Sequence, residues 1–112
     1  MTAAFSETRV VEVVGRLTAR RLRAFIEAGC VVPAEIGGER VFREADLARL
    51  ELLCELAEDF GLDEDGLALV MSLIDQLHGL RHEMRALMRA VEEEPPEVRE
   101  RIRAGHARLR EG

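Results

Sequence analysis

Residues 18–50 read TARRLRAFIEAGCVVPAEIGGERVFREADLARL, and this stretch decides the fold. Thr18 is a good N-cap, because its hydroxyl can accept from a backbone N–H of the first helical turn. Behind it Leu22, Phe25 and Ile26 recur at helical spacing, and Gly29 stops the run. Val31 and Val32, then Val41 and Phe42, are two short β-prone pieces around Gly37-Gly38. A di-glycine supplies the positive φ angles of a tight hairpin, so these pieces predict a small antiparallel pair. Glu44 or Asp46 opens the next helix. Its inward positions are Leu47, Leu50, Leu53, Cys54 and Ala57, and it ends near Phe60-Gly61.

Working outward, residues 7–14 hold Val10, Val11, Val13 and Val14. The valines alone would suit a strand, but Ser6 or Glu7 can start a short helix and Gly15 can end it. Helix, short turn and helix over residues 7–28, then a hairpin, form a helix-turn-helix with a wing. Residues 1–6 are expected to fray.

On the other side, residues 63–94 carry a long regular pattern. Leu67, Val70, Ile74, Leu77, Arg81, Met84, Met88 and Val91 alternate in steps of three and four, a heptad a/d series with Arg81 at one a position. Leu73, Leu80 and Leu87 add a third apolar row. A helix of this length cannot bury so broad a stripe alone. The first half is expected to pack on the N-terminal unit. The second half packs on another copy, through Leu73, Ile74, Leu77, Leu80, Arg81, Met84, Leu87 and Met88, unless the chain folds back on itself. Arg81 would then select register or orientation at a cost in stability. Pro95-Pro96 ends this helix. Residues 97–110 place Val98, Ile102 and Leu109 on one face of a weak amphipathic helix, expected to be interrupted at Gly105.

The chain has 112 residues and a net charge of −6, enough for one small domain with a tail. There is no Trp or Tyr, so the core must be mainly aliphatic. All sixteen basic residues are Arg. Residues 1–50 and 81–112 each hold eight Arg against seven acids, whereas residues 51–80 hold eight acids and no Arg. The acidic excess therefore belongs to the middle of the chain, where a nucleic-acid-binding domain would more commonly be basic. No apolar run approaches membrane-spanning length, and no secretory signal opens the sequence, so a cytoplasmic protein is expected. Cys30 and Cys54 lack metal-type spacing and read as small buried hydrophobes.

The central stretch resembles MerR-type regulators. Arg20, Leu22, Arg23 and Phe25, followed by Glu27 and Gly29, fit that family's recognition helix. Gly38, Arg40, Val41 and Phe42 match its wing motif, which departs here at the first aromatic position. Asp46, Leu47, Ala48, Arg49 and Leu50 match the Asp-Leu-x-x-Leu that opens its next helix. The resemblance spans about residues 8–90 and implies a mainly α, winged helix-turn-helix fold with a small β-hairpin wing and a long C-terminal dimerisation helix. The expected divisions are residues 1–62 for the winged unit, 63–94 for the long helix and 95–112 for a tail or short helix.

A narrower resemblance rests on Leu62-Asp63, Gly66-Leu67-Ala68 and Leu73-Ile74-Asp75, then Leu77 and Leu80. These are similar to the long helix of CbpM-type chaperone modulators, small MerR-like proteins that bind a J-domain co-chaperone of Hsp70. The resemblance implies a protein that restrains such a co-chaperone by contact. Residues from Pro95 onward have no counterpart in it.

Two interfaces compete for attention. Arg20, Arg21, Arg23, Arg40 and Arg43 are the candidates for phosphate contacts under a DNA-binding alternative. Glu51, Glu55, Glu58 and Asp59 share one helical face, with Asp63 just beyond. That face is either ordinarily solvated or an acidic dock for a basic partner, such as the basic helix that J-domains present to Hsp70. Catalysis is not expected. No phosphate loop is present, and Ser72 has no placed base. His78 and His82 lie one turn apart, but two ligands are too few for a metal site. Arg81, Arg85 and Arg89 form a basic row suited to ion pairing in solvent or across a dimer. No cofactor, metal or small-molecule substrate is expected.

Overall fold

A computed structural model describes residues 4–112. The elements in chain order are β1 (Ala4–Phe5), α1 (Glu7–Val13), α2 (Ala19–Glu27), β2 (Ala34–Ile36) and β3 (Glu39–Arg43). Helices α3 (Glu44–Asp59), α4 (Glu64–Glu92) and α5 (Pro96–Glu111) follow. Two compact units form, one reaching Leu73 and the other running from Ile74 to Gly112, so α4 continues from the first into the second.

The helix-turn-helix is set by its caps. The Ser6 hydroxyl accepts from Arg9 N at 3.2 Å, and Thr18 accepts from Arg21 N at 3.1 Å. Each satisfies a backbone donor that its helix leaves unpaired. At the end of α2, Gly29 takes φ +75°, Cys30 N donates to Phe25 O at 2.9 Å and Gly29 N donates to Ile26 O at 3.0 Å. This pair of bonds is a Schellman ending, in which a left-handed residue turns the chain sharply.

The wing differs from the sequence expectation in its first strand. Pairing with β3 begins at Ala34, opposite Val41, and not at Val31–Val32. Pro33 has no N–H to give a ladder, and Val31 instead goes into the core while Val32 is exposed. Gly37 and Gly38 close the hairpin with φ of 63° and 82°, the two positive values a type I′ turn demands.

The expectation that residues 1–6 fray is corrected at Ala4–Phe5, which pair antiparallel with Arg43 and Phe42; residues 1–3 lie outside the described residues. The sheet order is β1-β3-β2, with β3 central.

The core of the first unit gathers Val10 of α1 and its C-cap Val14, Leu22 and Phe25 of α2, and Phe42 of β3. Leu50, Leu53 and Cys54 of α3 complete it with Leu67 and Met71 of α4. Leu47 and Ala57 are half-buried. The Arg49 guanidinium donates from Nε to the Cys30 carbonyl, tying the loop after α2 to α3. Asp63 caps α4, accepting from Gly66 N at 2.9 Å.

In the second unit α4 ends at Glu92, and Pro95 and Pro96 start α5. Helix α5 runs unbroken through Gly105, correcting the expected interruption. One glycine costs about 1 kcal/mol within a helix, which the surrounding Ala and Arg residues tolerate. Among the described residues of this unit none is fully buried. No helix of the protein is long and apolar enough to cross a membrane.

Candidate functional site

Helix α3 carries the acidic residues, and the structure divides them. Glu51 and Glu55 are exposed and make no ion pair among the described residues. Glu58 and Asp59, at its C-terminal end, are engaged by the helix-turn-helix. Arg16, in the turn before α2, reaches Glu58 Oε2 at 3.1 Å and Asp59 Oδ1 at 3.0 Å. Arg21, in the first turn of α2, reaches Glu58 Oε1 at 2.6 Å and also donates to the Arg16 carbonyl at 3.2 Å. The hydrogen bond from Arg21 holds the Glu58 carboxyl below the usual carboxylate range. The bonds to Asp59 and Glu58 raise the Arg16 and Arg21 guanidiniums respectively. Asp63 is occupied as the α4 cap.

Pairing also reaches the proposed phosphate contacts. Of Arg20, Arg21, Arg23, Arg40 and Arg43, Arg21 is taken by Glu58, and Arg40 pairs with Glu7 at 2.9 Å. Arg20, Arg23 and Arg43 are exposed. The Arg43 backbone N–H donates to Asp46 Oδ2 at 2.9 Å, starting α3. Arg16 was not among the sequence candidates. Its signal was weak, since a lone Arg in a turn shows its partner only after α3 folds against it.

The second surface is on α4. Leu73, Leu77, Leu80, Met84, Leu87 and Met88 are 46–66% exposed, while Ile74 is half-buried. Met71 is 2% exposed, although it stands outside the a/d series read from the sequence. At 3.6 residues per turn, Leu67 and Met71 lie on one side of α4. Leu73, Leu77, Leu80, Met84, Leu87 and Val91 form a stripe roughly 140° round from them. The steps within this stripe are 4, 3, 4, 3 and 4. Arg81 falls roughly 80° from its centre, on the flank. The face with Leu67 and Met71 is spent on the first unit's core, and the opposite face carries the exposed apolar residues.

Burial raises both the Cys30 and Cys54 thiols, so they stay protonated near neutral pH. Among the described residues no group of three His, Cys, Asp or Glu is placed to hold a metal ion. His78 and His82 are exposed on α4.

Two helices joined by a tight turn, a β-hairpin wing beside them and a long helix beyond α3 define a winged helix-turn-helix protein. A family model described as MerR HTH family regulatory protein matches residues 8–89. The chain belongs to that family.

Proposed function

We propose that this regulator works by protein contact, binding a J-domain co-chaperone of Hsp70 and occupying the basic helix that such a domain offers to Hsp70. The observation that carries this is the division of charge on α3. Glu51 and Glu55 stand exposed one turn apart with no ion pair among the described residues, while Arg21 and Arg40 of the helix-turn-helix and wing are held in ion pairs. A basic helix laid along α3 would relieve the like-charge repulsion of that pair. Opposite potentials would speed encounter and set orientation. The Leu62-Asp63 and Gly66-Leu67-Ala68 resemblance to CbpM-type modulators supports the same partner.

The protein acts as a homodimer in this proposal. Its seam is the apolar stripe on α4, exposed from Leu73 to Leu87 and half-buried at Val91, about 27 Å long at 1.5 Å per residue. An antiparallel arrangement about His82 sets Leu73 against Val91, Leu77 against Leu87 and Leu80 against Met84 of a second copy. Every layer is then apolar, and Arg81 stays at the edge.

Titration calorimetry with the cognate J-domain tests the contact. Glu51→Arg with Glu55→Arg is expected to weaken binding by at least about tenfold, and added salt is expected to weaken the native pair. Unchanged affinity in both experiments would refute it. The second reading is a DNA-binding transcriptional regulator. It is favoured by exposed Arg20 and Arg23 on α2, the second helix of the helix-turn-helix, whose N-terminal residues meet base edges in such modules. A mobility shift with promoter DNA at physiological salt tests it.

A further inference from the structure

We propose that Glu58 and Asp59 serve as internal counter-ions that mask the helix-turn-helix face, so that these carboxylates and nucleic-acid phosphate compete for Arg16 and Arg21. This rests on the second reading above, that α2 can meet phosphate at all, and adds a regulation to it.

Arg16 and Arg21 flank Thr18, the residue that caps α2. Two guanidiniums therefore sit at the helix end where backbone N–H groups and the helix dipole already favour an anion. In the folded chain both guanidiniums are already paired, while the Thr18 hydroxyl caps the helix. Glu58 bridges both arginines, and Asp59 takes a second contact from Arg16. Both carboxylates come from the last turn of α3, so the anion at α2 is delivered by the neighbouring helix of the same unit.

The arginine side chains remain about a third to a half exposed, 31% for Arg21 and 45% for Arg16, and the carboxylates are 37% and 52% exposed. Exposed pairs of this kind are individually weak. They can therefore open for a stronger polyanion or a competing cation. A basic protein segment that captured Glu58 and Asp59 would release both arginines, linking the acidic surface to the phosphate-facing one.

Fluorescence anisotropy with a mixed-sequence 24-base-pair duplex, on the full chain at about 50 mM salt, tests this. Glu58→Gln with Asp59→Asn is expected to tighten binding about tenfold and to steepen the salt dependence by about two units of slope, one for each freed cation. Glu51→Gln with Glu55→Gln removes the same formal charge from the same helix without touching either arginine. It is expected to tighten binding far less. Adding Arg16→Ala and Arg21→Ala to the first variant is expected to abolish the gain. Circular dichroism on each variant checks that the helices persist.

An equal gain in both carboxylate variants would reduce the effect to net charge and overturn the mask. Measurable binding by the native chain with no gain on removing Glu58 and Asp59 would also overturn it, leaving the DNA reading intact. No binding by any variant would overturn both.

Discussion

Met71 and Leu69 are two residues apart on α4 and equally apolar, yet they should respond to truncation in different ways. Met71 is 2% exposed and Leu69 is 62% exposed. Truncating a buried Met to Ala costs about 2–5 kcal/mol, combining lost transfer energy with the void left behind. A unit ending at Leu73 has a total stability of about 4–11 kcal/mol by the usual range per residue. Met71→Ala therefore removes a large share of it. With a slope near 1 kcal/mol/M for a small domain, the urea midpoint should fall by about 2 M or more. Leu69→Ala should move it by less than about 0.5 M. The assay is urea unfolding followed by far-UV circular dichroism. It should be run at two protein concentrations, because a loss that belongs to a dimer grows on dilution and a loss of core packing does not. Equal destabilisation by the two variants, or a larger loss at Leu69, would refute the assignment of faces on α4.

Other expectations follow from single contacts. Replacing Leu80 with Glu at the centre of the exposed stripe should yield a monomer in sedimentation at micromolar concentration, with helical content kept; a native chain already monomeric there would dispose of the dimer. Thr18→Ala removes the cap of α2 and should cost about 1 kcal/mol by chemical unfolding. Gly29→Ala forces a side chain into a left-handed conformation at φ +75° and should cost about 1–2 kcal/mol, although no atom blocks the added carbon. Glu58 has its carboxyl depressed from the ordinary 4.5 by the bond from Arg21. Its contribution to stability is therefore complete above that value and lost as pH falls through the lower folded value. Glu58→Gln should flatten the acid side of the melting-temperature profile below about pH 5, and an unchanged profile would contradict the ion pair.

Much of the architecture is local, which is why it can be read from the chain. Ser6 and Thr18 cap helices through bonds three residues away, Gly29 ends one, and Gly37-Gly38 closes a hairpin, all within a few residues of chain. Pro95-Pro96 separates α4 from α5 for the same reason. Apart from the helix break expected at Gly105, the expectations that failed were set by a distant partner. Ala4–Phe5 is ordered because the exposed edge of β3 is there to pair with it. Val31 leaves the wing because the core of the first unit takes its side chain.

The charge pattern shows the same division. By itself the sequence determined that the acids cluster in residues 51–80, that Glu51, Glu55, Glu58 and Asp59 share one helical face, and that α4 carries more apolar rows than one neighbour can cover. Those are properties of order and period. Only the tertiary structure decided which of the acids are spent and which apolar row faces outward. Arg16 and Arg21 lie 37 to 43 residues before the carboxylates they hold, and no local rule links positions so far apart. Met71 enters the core because α4 presents its side with Leu67 to the first unit. This leaves the row from Leu73 to Val91 on the opposite side. Long-range packing chooses among faces that helical periodicity can only offer.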